Sequence, residues 1–246
     1  MKIHNIRAFT DNFIFVVEQN GSALVVDPGD AEVTQLFLKE HKLSLHSILI
    51  THCHHDHIGG VKELLKLNSK TRVLGPSRVK DFGIDLDVEL KEASSFEFQG
   101  SQWQCLHLPG HTLDHLAHFN LKDKILFCGD IIFSLGCGRL FEGSFEQAYL
   151  SMQRLKDLPM DTKIYCTHEY TLANCNFCIA ENLALHAEYS IVKNQILEKL
   201  KKGQDTVPTN LEFELQYNPF LKATSVEEFA KLRLKRNDFK SKLENL

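Results

Sequence analysis

The 246-residue sequence has no apolar run long enough to span a membrane. Its opening, Met1-Lys2-Ile3-His4-Asn5, enters alternating sequence without the apolar stretch of a secretory leader. It has no excess of basic residues: a net charge of −4 argues against the positive footprint that a nucleic-acid scaffold needs. No second Cys-x-x-Cys accompanies Cys175-Asn176-Phe177-Cys178, which excludes a four-cysteine zinc site. That pair falls in a helical pattern and reads as two small semi-buried side chains. The seven cysteines are odd in number and follow no framework spacing, so they indicate reduced thiols and a cytoplasmic location. There are no internal repeats and no low-complexity segment. With 43% hydrophobic and 24% charged residues, the composition is that of a globular protein with a substantial core.

Short strand-like runs alternate with helical stretches through the first two-thirds. Phe13–Glu18 and Ala23–Val26 read as adjacent strands, the second closed by Asp27-Pro28-Gly29. Ala31–Lys42 has helical spacing, Ser47–Ile50 reads as a buried strand, and Gly59-Gly60 opens a helix that runs through Leu67. Further strands are expected at Arg72–Leu74, Trp103–Leu108, Leu116–Asn120, Lys124–Cys128 and Lys163–Cys166, with a helix at Phe145–Leu158. This alternation predicts an α/β sandwich. After about residue 168 the pattern is helical: one long or two shorter helices over Leu172–Lys202, then a last helix behind the capping-box spacing Ser225-Val226-Glu227-Glu228. The expected division is a catalytic domain over 1–168 and a small helical domain over 169–246.

The stretch Thr51-His52-Cys53-His54-His55-Asp56-His57 lies between a buried strand and a helix start. Residues two apart at a strand end share a side, so His52 and His54 can converge on one ion. The turn into the helix swings Asp56 and His57 towards a neighbouring point. Imidazole nitrogens with carboxylate oxygens suit zinc, and also iron or manganese. A merely polar loop would crowd these imidazoles with no structural return. His55 falls between the two sets and is expected to point away. His111, Asp130 and His168 each follow an expected strand, which is how α/β scaffolds assemble sites. His115 and His118 flank Leu116-Ala117 in a strand and read as packing groups or as supports behind a ligand; His4, His41, His46, His107 and His186 read as structural or exposed, and Trp103 as core. Asp27 is a candidate for orienting a ligand from behind.

The set His52-x-His54-x-Asp56-His57, His111, Asp130 and His168 resembles the ligand pattern of binuclear metallo-β-lactamase-fold hydrolases. Later motifs narrow the resemblance to the hydroxyacylglutathione hydrolases, or glyoxalase II: Asp11-Asn12-Phe13, Cys137-Gly138-Arg139-Leu140-Phe141-Glu142-Gly143, Thr167-His168-Glu169-Tyr170-Thr171, Asn218-Pro219-Phe220 and Arg233-x-x-Arg236. They run from residue 11 to residue 236. Phe141 stands where some relatives have tyrosine, and Arg139 where some have lysine.

What the resemblance implies is an αββα sandwich with a small C-terminal helical domain, holding two divalent ions per chain. His52, His54 and His111 would bind the first ion and Asp56, His57 and His168 the second, with Asp130 bridging. The implied reaction is hydrolysis of S-D-lactoylglutathione to D-lactate and glutathione by a hydroxide held between the metals, with Asp56 and Asp130 as the carboxylates closest to the chemistry. Arg139, Tyr170, Arg233 and Arg236 would contact glutathione, whose carboxylates arginine can grip with paired hydrogen bonds. The expected partner is this small-molecule thioester, with neither nucleic acid nor membrane, and the chain is taken as a monomer. Rival readings are a glutathione persulfide dioxygenase, a lactonase or other hydrolase of the fold, and a metal-binding regulator without catalysis.

Overall fold

Alternating residues from Lys2 onward build the first sheet of the computed structural model, which describes residues 1–181, 183 and 185–239. Strands β1 (Lys2–Ala8), β2 (Asn12–Gln19) and β3 (Ser22–Val26) run antiparallel, and β4 (Ser44–Leu49), β5 (Arg72–Gly75) and β6 (Val88–Glu89) continue the sheet in parallel. Asn12 through Val17 are buried at every position, which explains the unbroken apolar run where alternation would otherwise be expected.

Parallel strands need crossovers, and helices supply them. Helix α1 (Ala31–Glu40) starts at Asp30, whose side chain accepts the backbone N–H groups of Glu32 and Val33. Val33, Phe37 and Leu38 of that helix pack on Ile6, Ile14, Val16 and Val25. The one-turn α2 (His55–Ile58) and then α3 (Val61–Leu67) follow β4, and Val61 and Leu64 pack on Ile48, Ile50, Val73 and Val79.

Strands β7 (Ser95–Phe98), β8 (Ser101–His107), β9 (Leu116–Asn120) and β10 (Ile125–Gly129) form an antiparallel second layer. Phe15 of β2 meets Phe127 of β10 at 5.5 Å between ring centroids, and Phe127 meets Trp103 of β8 at 5.3 Å. All three side chains are buried. Such rings each remove about 150–250 Å² from water, so this column dominates the space between the layers.

These elements make one compact unit, Met1–His107 with Asp114–Gly129; the other contains Leu108–Leu113 and the chain from Asp130. In the second unit, β11 (Ile132–Phe133) and β12 (Gly136–Cys137) form a hairpin turned at Ser134-Leu135. Leu135 has φ +60°, an unusual torsion for a branched side chain. Helix α4 (Phe145–Leu155) begins at a reciprocal capping box between Ser144 and Gln147. Strand β13 (Lys163–Cys166) pairs antiparallel with β14 (Thr209–Asn210).

Two helices, α5 (Thr171–Ala180) and α6 (His186–Lys201), occupy the region expected as one or two, and the break between them includes positions 182 and 184, outside the described residues. The remaining helices are α7 (Leu211–Tyr217), α8 (Pro219–Lys222) and α9 (Val226–Asp238). Ser225 caps α9 as its spacing predicts, accepting the Glu228 N–H at 3.2 Å. Phe177, Phe220 and Phe229 stack or cross at 5.9–6.2 Å to form the core of this helical part. Residues 130–168 fall in the same compact unit as the helices. Among the described residues, no helix is long and apolar enough to cross a membrane.

Candidate metal centre

In the first unit the site is organised around Asp27, at the end of β3. Its left-handed backbone (φ +50°) is one that aspartate tolerates better than most residues, and its N–H donates to the Leu49 carbonyl at the end of β4. The buried carboxylate accepts the Thr51 N–H at 2.8 Å, the Thr51 hydroxyl at 2.7 Å and the His57 Nδ1 hydrogen at 2.9 Å. With Nδ1 protonated onto a carboxylate, His57 keeps Nε2 as its ligand atom.

His52 Nε2 and His54 Nδ1 lie 3.0 Å apart. Two nitrogens on one tetrahedral zinc, each at about 2.0–2.1 Å, sit about 3.3 Å apart, so the pair fits a shared ion. Asp56 is turned by Asn12, whose Nδ2 donates to Oδ2 at 2.8 Å; that oxygen lies 3.6 Å from His57 Nε2. A Cβ at Gly29 would come within 1.9 Å of the Asp56 carbonyl oxygen, so only glycine lets the strand-end turn approach the ligand loop.

His55 is exposed, in line with its expected outward direction. His115 is buried and stacks on His52 at 4.6 Å. His118 is buried against the Ile50 carbonyl, and desolvation lowers its pKa to about 4, so it is neutral.

In the second unit, one oxygen of Asp130 faces two imidazoles: Oδ2 is 3.3 Å from His111 Nε2 and 3.4 Å from His168 Nε2. Were His111 and His168 each to hold an ion, this oxygen would lie beside both nitrogens. His111 donates from Nδ1 to the Arg139 carbonyl at 2.6 Å, which leaves Nε2 for a metal. A Cβ at Gly138 would lie 1.9 Å from the Asp130 carbonyl oxygen, so the return strand can pass the ligand only as glycine. His168 stacks on Tyr170 at 4.8 Å with rings 4° from parallel. The next residue, Glu169, accepts the Thr206 N–H at 2.9 Å and holds the chain after the ligand in place.

Of the expected substrate contacts, Arg139 is exposed, with its guanidinium 5.5 Å over the Phe141 ring. Phe141 is itself 61% exposed. Tyr170 is half-buried. Arg236 is half-buried, donating from Nε to Asn174 Oδ1 at 3.1 Å; burial, then the nearby Arg233, lowers its pKa. Arg233 differs from the picture of a carboxylate fork open to solvent. It is 6% exposed and donates from Nη1 to the Cys137 carbonyl at 2.6 Å and from Nε to Asn237 at 3.1 Å. The cause is the i, i+4 stripe of α9, which seats Phe229 and Arg233 on the same buried side.

Cys175 and Cys178 are buried, and desolvation pushes their thiols up to about 11 and about 12, away from the thiolate form that a reactive cysteine needs. Sequence pattern alone does not single out Asn12 or Thr51 for the roles they have here. The signal that could have found Asn12 is a polar residue opening a wholly buried strand.

Residues 8–168 match the family model of the metallo-beta-lactamase superfamily, and residues 169–239 match that of the hydroxyacylglutathione hydrolase C-terminus. A relative from Bdellovibrio bacteriovorus, named hydroxyacylglutathione hydrolase, is 43% identical over 238 residues, covering 93% of this chain and 94% of that protein. Among solved structures, ETHE1 from Myxococcus xanthus superposes with a TM-score of 0.72 at 23% identity, covering 100% of this chain and 95% of that one, a likeness of fold. The protein TTHA1623, solved in a di-iron-bound form, superposes with a TM-score of 0.54 at 27% identity, covering 64% of this chain and 87% of that one.

Proposed function

The chain belongs to the hydroxyacylglutathione hydrolases of the metallo-β-lactamase superfamily, and we propose from this that it hydrolyses S-D-lactoylglutathione to D-lactate and glutathione, the second step of methylglyoxal detoxification. The observation that carries the reading is the match of residues 169–239 to the helical C-terminus of that family. The metal-ligand pattern alone would fit any hydrolase of the fold. The dioxygenase, lactonase and non-catalytic readings are not favoured, since the C-terminal model and the curated relatives that match are those of hydroxyacylglutathione hydrolases.

The donor chemistry fits a pair of divalent ions. His57 and His111 have their Nδ1 hydrogens taken by oxygen acceptors, His52 and His54 turn two nitrogens towards each other, and Asp130 divides one oxygen between two imidazoles. In the proposed centre, His52, His54 and His111 would hold one ion and Asp56, His57 and His168 the other, with Asp130 as their shared carboxylate. Zinc is the first choice of metal and iron or manganese the alternatives; the di-iron form of TTHA1623 supports a two-metal reading. Two such ions, when bound, supply Lewis acidity and a hydroxide at neutral pH.

The chain's own residues do the rest. Asp27 fixes the tautomer of His57, and Asn12 orients Asp56 by its hydrogen bond to Oδ2. Asp130 contributes negative charge between the cations. Arg139, Tyr170, Arg233 and Arg236 are the proposed contacts to the glutathione part, Arg233 being the most buried of them; guanidinium groups suit its carboxylates. The proposed division of labour is a catalytic segment over 1–168 and a substrate-binding helical segment over 169–246. We take the enzyme as monomeric and cytoplasmic, the compartment that keeps its buried thiols reduced.

Steady-state hydrolysis of S-D-lactoylglutathione, on protein whose metal was counted in the same preparation, tests this. Rapid turnover with close to two ions per chain is the expected result. No turnover by protein carrying two ions would overturn the substrate assignment.

A further inference from the structure

The β11–β12 hairpin makes few bonds of its own and many to the helices that follow it. Asn218, fully buried between α7 and α8, turns its Nδ2 to the Phe133 carbonyl at 3.1 Å, the Gly136 carbonyl at 2.9 Å and Glu214 Oε2 at 2.9 Å. Its Oδ1 accepts the N–H groups of Phe220 and Leu221, capping α8. Glu214, also fully buried, accepts the Leu135 N–H at 2.9 Å at the turn of the hairpin. Asn174 of α5 donates to the Ser134 carbonyl at 3.0 Å, and Arg233 of α9 to the Cys137 carbonyl. Side chains from three helices (α5, α7 and α9) and from the α7–α8 junction thus bond to the backbone of one six-residue hairpin, around Leu135 in its left-handed torsion.

Both ends of this hairpin rest on candidate metal ligands. Asp130 precedes it. Just beyond it, Gly138 lies against the Asp130 carbonyl, and the Arg139 carbonyl takes the Nδ1 hydrogen of His111. Arg139 itself points its side chain into solvent. A shift of the hairpin by a few tenths of an ångström would therefore move Asp130, the ring of His111 and Arg139 together.

We propose that Asn218 is a positioning residue of the metal centre: its carboxamide, backed by Glu214, sets the 132–137 hairpin and through it the orientation of Asp130 and His111. The inference rests on the proposed ligand roles of those two residues, not on the identity of the thioester. It gives the helical segment a second task, supporting the metal site, beside substrate contact.

Asn218→Asp separates the two halves of the carboxamide. Oδ1 can still cap α8, while an oxygen replaces the donor that faces two carbonyls and a carboxylate. The measurement is zinc affinity by chelator competition at a temperature well below the unfolding midpoint, with kcat and KM for the thioester on zinc-saturated protein. Zinc affinity is expected to fall about tenfold, the low end for residues that orient metal ligands, with kcat falling alongside. Tyr189→Phe serves as the matched control, since it loses a buried bond from the Tyr189 hydroxyl to the Tyr217 carbonyl in the same helical region. It should lower the unfolding midpoint and leave zinc affinity and kcat unchanged. A folded Asn218→Asp protein with parental zinc affinity and kcat would overturn the proposal, as would an equal loss of affinity in Tyr189→Phe. If Asn218→Asp does not fold, Asn174→Ala takes its place: a tenfold loss of zinc affinity supports the proposal and a parental affinity overturns it. Because zinc affinity is read without substrate, an inactive parent would sink the thioesterase reading and leave this test standing.

Discussion

Asp27 and His57, thirty residues apart in sequence, meet through a 2.9 Å hydrogen bond in a setting closed to water. The same carboxylate takes both donors of Thr51, so it ties the end of β3 to the loop after β4 before it reaches the imidazole. Replacing Asp27 by Asn leaves the volume unchanged and removes the charge that holds the Nδ1 tautomer. Metal affinity should fall by about 10–100-fold, as is typical when a partner behind a ligand is lost. Isothermal titration of metal-free protein with zinc checks this, and an unchanged affinity would mean that the bond serves folding alone.

Asp130 faces His111 and His168 from one oxygen. Asp130→Ala should lose hydrolysis together with at least one bound ion. Elemental analysis beside the rate assay decides the matter, and full turnover with both ions retained would remove Asp130 from the bridge.

Arg236 is only half-buried, with its Nε on Asn174 Oδ1. Arg236→Ala should raise KM for a glutathione thioester several-fold and leave hydrolysis of a neutral thioester near the parental rate. Comparable losses on both substrates would return this part of α9 to a solvated basic face. Arg233→Ala should behave differently, because its Nη1 is engaged with the Cys137 carbonyl. There kcat should fall for both substrates.

His118 is fully buried and neutral, with a folded pKa of about 4 against an ordinary 6.5. A depressed histidine pKa means that the unfolded chain binds the proton more readily. The full stability is therefore present above pH 6.5, declines as pH falls from there towards 4, and levels off below. At pH 5 the difference amounts to about 2 kcal/mol. Urea unfolding of parent and His118→Phe at pH 7.5 and pH 5 reads it as the difference between the two proteins, since the other histidines titrate in both. An equal decline in both would show that His118 is already protonated in the fold.

Much of this was legible in the chain. The spacing of His52, His54, Asp56 and His57 drew attention because side-chain direction follows directly from local backbone, and local backbone is what a sequence reports best. Most of the longer strands and helices were read on the same ground, though β1, β7 and α7 were not. The short β6, β11, β12 and β14 were not, because two-residue strands have no periodicity to detect. The anchoring of the hairpin by Asn174, Glu214 and Asn218 was equally hidden. These contacts span 40 to 85 residues, and only the folded chain brings their partners together. Arg233 shows another limit: its place in a motif marked it as a substrate contact, and the motif did not tell that helix phase would bury it.

The leucine at the hairpin tip has a bearing on engineering. A turn with φ +60° would cost a leucine about 1–2 kcal/mol if left to itself, and glycine would adopt it freely. The shape of residues 132–137 is therefore dictated from outside, by side chains distant in sequence. Transplanting the loop from Asp130 to Glu142 onto another scaffold would carry the letters of the site without its form. Anyone borrowing this chemistry would have to move the helices as well.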